Sequence, residues 1–136
     1  VKSSSPQPRR VTNGVDSSRV AMLLAVLERR AGISLSDKDV YVSTVGGMRI
    51  IEPAADLAIA IAIASAVSDK PVSTKVAAFG EISLSGEVRG VANLSQRTNE
   101  ASRLGHKIII DSTSGQLKNA LTQALAQSDQ SQPEAN

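Results

Sequence analysis

The sequence predicts an α/β domain, and three observations carry the prediction. The run from Ala54 to Val67 is apolar almost all the way round, broken only by Asp56, Ser65 and small alanines, and reads as a buried helix. Short segments rich in β-branched residues (DVYVSTV, KVAAFGEI, KIII) read as strands. Between them lie stretches whose apolar residues recur at helical spacing, and strands alternating with helices give an α/β domain.

Taken in order, residues 1–8 (VKSSSPQP) are Ser/Pro-rich and predict a flexible lead-in, with the folded domain spanning 9–127. Pro8 to Val11 predicts a short strand ahead of the turn-prone Asn13-Gly14. Asp16 or Ser17 then caps a helix whose Val20, Leu23, Leu24, Leu27 and Ala31 keep helical spacing, and Gly32 suits its stop. Asp39–Val45 reads as a half-buried strand, Gly46-Gly47 as a turn, and Met48–Ile51 as a second extended piece. Pro53 fits the first turn of the central helix, where its missing N–H costs nothing, and Glu52 and Asp56 suit that helix's N-terminal end. A helix without a polar face has no side to give to water, so other elements are expected to cover it all round.

Beyond the helix, Asp69–Thr74 is a loop and Lys75–Ile82 a strand. Glu87–Val91 pairs with it as a hairpin bracketed by Gly80 and Gly86. Asn93 is expected to cap a more polar helix with Leu94, Thr98, Ala101 and Leu104 on its inner stripe, ended by Gly105. Lys107–Ile110 is a strand. Ser112 to Ser114 supply the cap of a last helix carrying Leu117, Ala120, Leu121, Ala124 and Leu125, and 128–136 reads as a disordered tail.

Composition narrows the chemistry. The 136 residues hold no cysteine and one histidine, so a thiolate or histidine metal site is excluded, and no cofactor or metal is expected. Fifteen Lys and Arg against 13 Asp and Glu leave a net charge of +2, so any nucleic-acid contact has to come from clustering. Tyr41 and Phe79 are the only aromatics, too few to stack exposed bases. The apolar run is shorter than the ~20 residues of a bilayer span, so no membrane partner is expected. A start at Val1 without methionine or signal pattern suggests a fragment of a longer cytoplasmic protein. Gly46-Gly47 lacks the Lys-Ser/Thr of a P-loop, and Gly80, Gly86 and Gly90 are too spread to cradle a phosphate.

Three runs in order, PRRVTNGVDSSRVAMLLAVLERRAG, DVYVSTVGGMRIIEPAADLAIAIAIAS and FGEISLSGEVRGV, carry a resemblance. Together they resemble the C-terminal domain of the bacterial RadA/Sms family of DNA-repair proteins, which is similar to the proteolytic domain of Lon, over roughly residues 8–125. The resemblance implies a Lon-protease-like single domain of the ribosomal protein S5 domain 2-like fold. It also implies a longer protein with a zinc finger and a RecA-like ATPase. Lon-type proteases use a Ser–Lys dyad, in which a lysine activates a weakly nucleophilic hydroxyl. Their serine stands in a Pro-Ser-Ala-Gly run; the matching run here is Pro53-Ala54-Ala55-Asp56. The stretch matching their lysine reads Ala92-Asn93-Leu94-Ser95. With Ala54 and Ser95 in the dyad positions, no peptide hydrolysis is expected. Ser83, Ser85, Ser95 and Lys107 offer no recognised alternative spacing, which leaves a residual serine hydrolase as the remote reading.

Asp56 admits a structural reading, a carboxylate at a helix start, and a functional one, the acid/base remnant of a decayed site. We prefer the first, since no His, Lys or second carboxylate is clearly placed beside it. Glu81 is read as an arginine's partner and His106 as a surface residue. Arg9, Arg10, Arg19, Arg49 and Arg89 are the candidate DNA contacts, because guanidinium groups grip phosphate oxygens independently of sequence. The resemblance implies that Arg49 and Arg89 approach one face. The competing reading pairs these arginines with Glu52, Glu81 and Glu87 or places them at subunit contacts. The expected function is a non-catalytic scaffold that helps assemble a hexameric ring and touches the DNA phosphate backbone, with a recombinase as a further possible partner. A ring scaffold without DNA contact is the alternative.

Overall fold

A computed structural model describes Lys2 and residues 8–126. Most of the 1–8 lead-in and the whole 128–136 tail fall outside the described residues. Strand β1 (Arg10–Asn13) leads into helix α1 (Ser17–Ala31), which starts and stops where its end residues dictate. The Asp16 carboxylate accepts the Ser18 N–H at 3.3 Å, and Gly32 takes the left-handed conformation that closes the last turn. Val20, Leu23, Leu24, Val26 and Leu27 are buried along one side of α1. Strand β2 (Val40–Ser43) then pairs parallel with β1, Arg10 opposite Val40.

The central helix α2 (Asp56–Ser68) follows a single 3-10 turn at Pro53–Ala55. Leu57, Ile59, Ala60, Ile61, Ile63 and Ala64 enter the core, packed against α1 and against α4 (Leu117–Ala126). Fully burying one such Leu or Ile contributes about 1.5–3 kcal/mol, so this three-helix contact is the main source of stability. The expectation of cover all round fails. Ala58, Ala62 and Ala66, one turn apart, are exposed and form the floor of an open groove beside β2. Alanine tolerates this because a methyl group exposes little apolar area.

The expected strand Lys75–Ile82 divides in two. Strand β3 (Val76–Ala78) pairs parallel with β6 (Ile108–Ile110), whereas β4 (Glu81–Ile82) pairs antiparallel with β5 (Val88–Arg89). The break falls at Gly80, which is laced to the start of α2. Its N–H donates to the Ala54 carbonyl and its own carbonyl accepts the Leu57 N–H, both at 3.0 Å. A Cβ at position 80 would stand 2.6 Å from Val88 Cγ1, so only glycine allows this approach. The described strands thus form three separate pairs.

Helix α3 (Leu94–Arg103) departs from expectation at both ends. Asn93 precedes it in a left-handed conformation (φ 60°) that turns its side chain away from capping, and Leu104, expected inside, is 60% exposed beyond the last turn. Only Ala101 of that helix is buried. Ser112–Ser114 forms a 3-10 turn whose cap is Asp111, which accepts from the Thr113 N–H at 3.0 Å, and α4 starts only at Leu117. His106 is half-buried rather than on the surface, its Nδ1 2.7 Å from the Thr74 carbonyl.

Candidate functional site

The N-terminal end of α2, to which the resemblance assigns the dyad serine, is built around Asp56. An apolar helix that begins with a carboxylate has to satisfy it inside the protein. Asp56 is 1% exposed. Arg19 Nε donates to Oδ1 at 2.6 Å, Arg19 Nη2 donates to Oδ2, and the Ile82 N–H donates to Oδ2 at 3.0 Å. The bidentate fork matches guanidinium to carboxylate geometry. The hydrogen bond to Asp56 holds the Arg19 guanidinium above its ordinary pKa, outweighing the opposing effect of partial burial. Glu81 Oε1 lies 3.8 Å from the same Arg19 nitrogen. Asp56 therefore takes the structural reading, with β4 and α1, rather than the helix's own N–H groups, as its partners.

Beside this pair opens a cleft of about 460 Å³ lined by Asp16, Arg19, Arg49, Glu52 and Asp56, among others. Its charges alternate in sign. Ala54, which the resemblance matches to the nucleophile position, offers a methyl group, and its carbonyl accepts from the Gly80 N–H. Ser95 is exposed in the first turn of α3. The two segments are nevertheless close. Arg97 Nη1 lies 3.0 Å from Glu52 Oε2, and Arg97 Nε donates to the Ala92 carbonyl at 2.9 Å. This ion pair joins the two segments that the resemblance matches to the dyad. Nothing in the sequence singled out Arg97, which stands 45 positions from Glu52.

A serine and a lysine do meet elsewhere. Lys107 Nζ donates to the Ser102 carbonyl at 3.1 Å and to Ser102 Oγ at 3.2 Å. The contact is exposed and lines neither of the two main clefts. A lysine that donates to the hydroxyl is not serving as its base. Ser83 Oγ and Ser85 Oγ lie 2.9 Å apart at the tip of the β4–β5 hairpin, and the Glu87 N–H donates to Ser83 Oγ at 3.1 Å, which makes them turn-closing groups.

The candidate arginines sort into two kinds. Arg10 spends its guanidinium on the carbonyls of Arg9, Leu35 and Lys38, with the Leu35 contact at 2.9 Å, and so ties β1 to the loop before β2. Arg19 is committed to Asp56. Arg9, Arg49 and Arg89 are exposed, and among the described residues none of their guanidinium groups forms an ion pair. Arg49 lines the mixed cleft. Arg89 stands opposite Glu81 in the β4–β5 register, and Glu81 in turn faces Arg19. The structure thus relates Arg49 and Arg89 through the Arg19–Asp56 pair, while Arg9 lies apart at the start of β1. Of the carboxylates expected to pair with arginines, Glu81 faces Arg19 and Glu52 is taken by Arg97.

Among the described residues no group of three or more His, Asp or Glu side chains could hold a metal ion, and no helix is long and apolar enough to cross a membrane.

With this geometry in view, comparison with known proteins is informative. A family model described as subunit ChlI of Mg-chelatase matches residues 18–114. DNA repair protein RadA of Streptococcus pyogenes is 50% identical over 97 residues, 71% of this chain and 21% of that protein. DNA repair protein RadA of Halalkalibacterium halodurans is 48% identical over 103 residues, 76% of this chain and 22% of that protein. In Mycobacterium tuberculosis the protein of the same name is 46% identical over 103 residues. The chain spans about a fifth of the length of the curated relatives it matches.

Proposed function

Because the chain belongs to the family described as subunit ChlI of Mg-chelatase, matched from residue 18 to 114, we propose that it is the non-catalytic assembly domain of a RadA-type DNA-repair protein. We assign it to the ribosomal protein S5 domain 2-like fold within that mixed α/β family. The observation that carries the reading is the fate of the dyad region. A methyl group stands at Ala54, an exposed hydroxyl at Ser95, and the one charged side chain fully buried among the described residues, Asp56, is neutralised by a bidentate arginine. That machinery positions α1, α2 and β4 against one another; it does not activate a nucleophile.

On this reading the domain self-associates into a hexameric ring in the longer protein, which meets a recombinase, and ATP hydrolysis belongs to a domain outside this chain. DNA contact falls to the arginines that the fold leaves open, Arg49 and Arg89, with Arg9 as an outlying contact. Each grips phosphate and releases counterions, so affinity falls steeply with salt. The test is a salt titration of duplex-DNA binding by the full-length protein. Arg49→Ala and Arg89→Ala are each expected to weaken binding and flatten the slope of log K against log salt by about 1. Slopes equal to that of the unaltered protein in both variants would remove Arg49 and Arg89 from the account. That outcome would favour the ring scaffold without DNA contact, in keeping with Glu52, Asp56 and Glu81 lying among the same arginines. A fluorophosphonate probe is expected to label no serine, and labelling would restore the hydrolase reading.

A further inference from the structure

A groove of about 860 Å³ is left by the uncovered side of α2, floored by Ala58, Ala62 and Ala66 and walled by Val40, Val42 and Met48. Its rim is the outer edge of β2. In a parallel pair, alternate residues turn their backbone groups to opposite sides. The Val40 and Thr44 N–H groups donate to the Arg9 and Asn13 carbonyls of the β1 segment, so those of Tyr41 and Ser43 face the other way. No partner meets them among the described residues. The strand itself, Val-Tyr-Val-Ser, carries none of the lysines or prolines that blunt an exposed edge. Beyond its end, Val45 is 90% exposed over the same groove.

The chain reaches this place from one direction. Lys2 lines the groove and forms an isolated antiparallel bridge with Lys38, just before β2. Antiparallel register sets the course of whatever is continuous with Lys2 on its N-terminal side. A strand in that register would run along β2 from Lys38 toward Thr44, over the alanine floor. Methyl groups at one-turn spacing let a backbone approach closely and leave room for its inward side chains.

We propose that this groove seats an extended, apolar strand of the same polypeptide, continuous with Lys2 on its N-terminal side and laid antiparallel on the open edge of β2. The strand adds main-chain bonds to Tyr41 and Ser43 and places alternate, β-branched side chains against Ala58, Ala62 and Ala66. The relatives, of which this chain spans about a fifth, are long enough to supply it.

Hydrogen exchange on the full-length protein and on the 136-residue chain, each at several concentrations, tests the assignment. The Tyr41 and Ser43 amides are expected to exchange about tenfold or more slowly in the full-length protein, and rapidly at every concentration in the shorter chain. Equal, fast exchange in both would overturn it. Protection in the shorter chain that grows with concentration would seat a second copy there and overturn it as well. A second measurement is independent of the amides. Ala62→Arg is expected to lower the Tm of the full-length protein by ~5 °C or more and to leave that of the 136-residue chain unmoved. The same shift in both would show the groove to be empty in the longer protein.

Discussion

Arg19 meets Asp56 fork to fork across 37 positions of sequence, and the carboxylate it holds is 1% exposed. Among the described residues it is the one ion pair with a fully buried carboxylate. Charge removed from water has to be compensated locally, whereas a pair left in water gains little from its partner. The molecule's ion pairs therefore differ widely in worth.

Arg19→Met is expected to destabilise the domain by about 3–5 kcal/mol, because Asp56 is left buried with only the Ile82 N–H. In urea titrations the double variant Arg19→Met/Asp56→Leu should recover much of the loss. Recovery stays incomplete, since the Ile82 N–H then has no acceptor. A single variant as stable as the starting protein would count against the buried-pair account.

Arg97→Ala sets the opposite limit. The Arg97–Glu52 pair leaves the Glu52 carboxylate largely in water, so its removal should cost less than ~1 kcal/mol, and less again at high salt. A loss as large as that of Arg19→Met would show this pair to be structural.

The response to pH carries a definite sign. The Arg19 guanidinium is held above its ordinary pKa by its hydrogen bond to Asp56. Its contribution is therefore complete below that ordinary value and is lost only as pH rises through the higher folded one, in strong alkali. The Tm deficit of Arg19→Met should thus stay constant from about pH 7 to pH 10, where both forms of the protein keep arginine charged. Glu100, lowered by its hydrogen bond from Arg103, and Asp37, lowered by that from Lys38, act on the acid side. Their contributions are present above the ordinary carboxylate range and are lost as pH falls through the depressed folded values. Both groups are fully exposed, so removing them should hardly change the acid limb of a pH–Tm curve. A deficit of Arg19→Met that shrinks between pH 7 and pH 10 would contradict the assignment.

Gly80→Ala is expected to cost about 1–3 kcal/mol, because the new methyl group meets Val88 Cγ1 and the Leu57 side chain where backbones are already bonded. Gly90→Ala is the control. Its nearest neighbour, Ser112 Oγ, would lie at an ordinary 3.6 Å, and its Tm should stay near that of the starting protein. Equal thermal shifts for the two would mean that the close approach at residue 80 is not what matters.

Local chemistry made much of this fold readable. Asp16, Gly32 and the spacing of Val20 to Leu27 define α1 within a single turn, and Ile108–Ile110 can hardly be anything but a strand. What escaped reading depends on partners distant in sequence. Residues 75–82 look like one strand because nothing local shows that Ala78 and Glu81 pair with different neighbours. The alanines of α2 look like core because hydropathy counts a methyl group as buried whether or not anything covers it. At the candidate site, the resemblance alone points to Ala54 and Ser95 as the residues in the dyad positions. A carboxylate inside an apolar run also signals a buried partner, but nothing in the sequence points to Arg19 as that partner. Arg10 and Arg19 look like two more free cations until the carbonyls and the carboxylate they hold are seen.

The lacing of residues 54 to 57 onto Gly80 and Ile82 bears on whether this end of α2 could be given a nucleophile. A hydroxyl introduced by Ala54→Ser would arrive in a turn whose carbonyl is already claimed. Two residues on, Asp56 is held by a guanidinium that cannot take up a proton. Hydrolysis would demand a new base and the release of Asp56, and the latter would unseat the helix on which the hydroxyl stands. The contact that keeps the domain folded thus bars the simplest route to a catalyst.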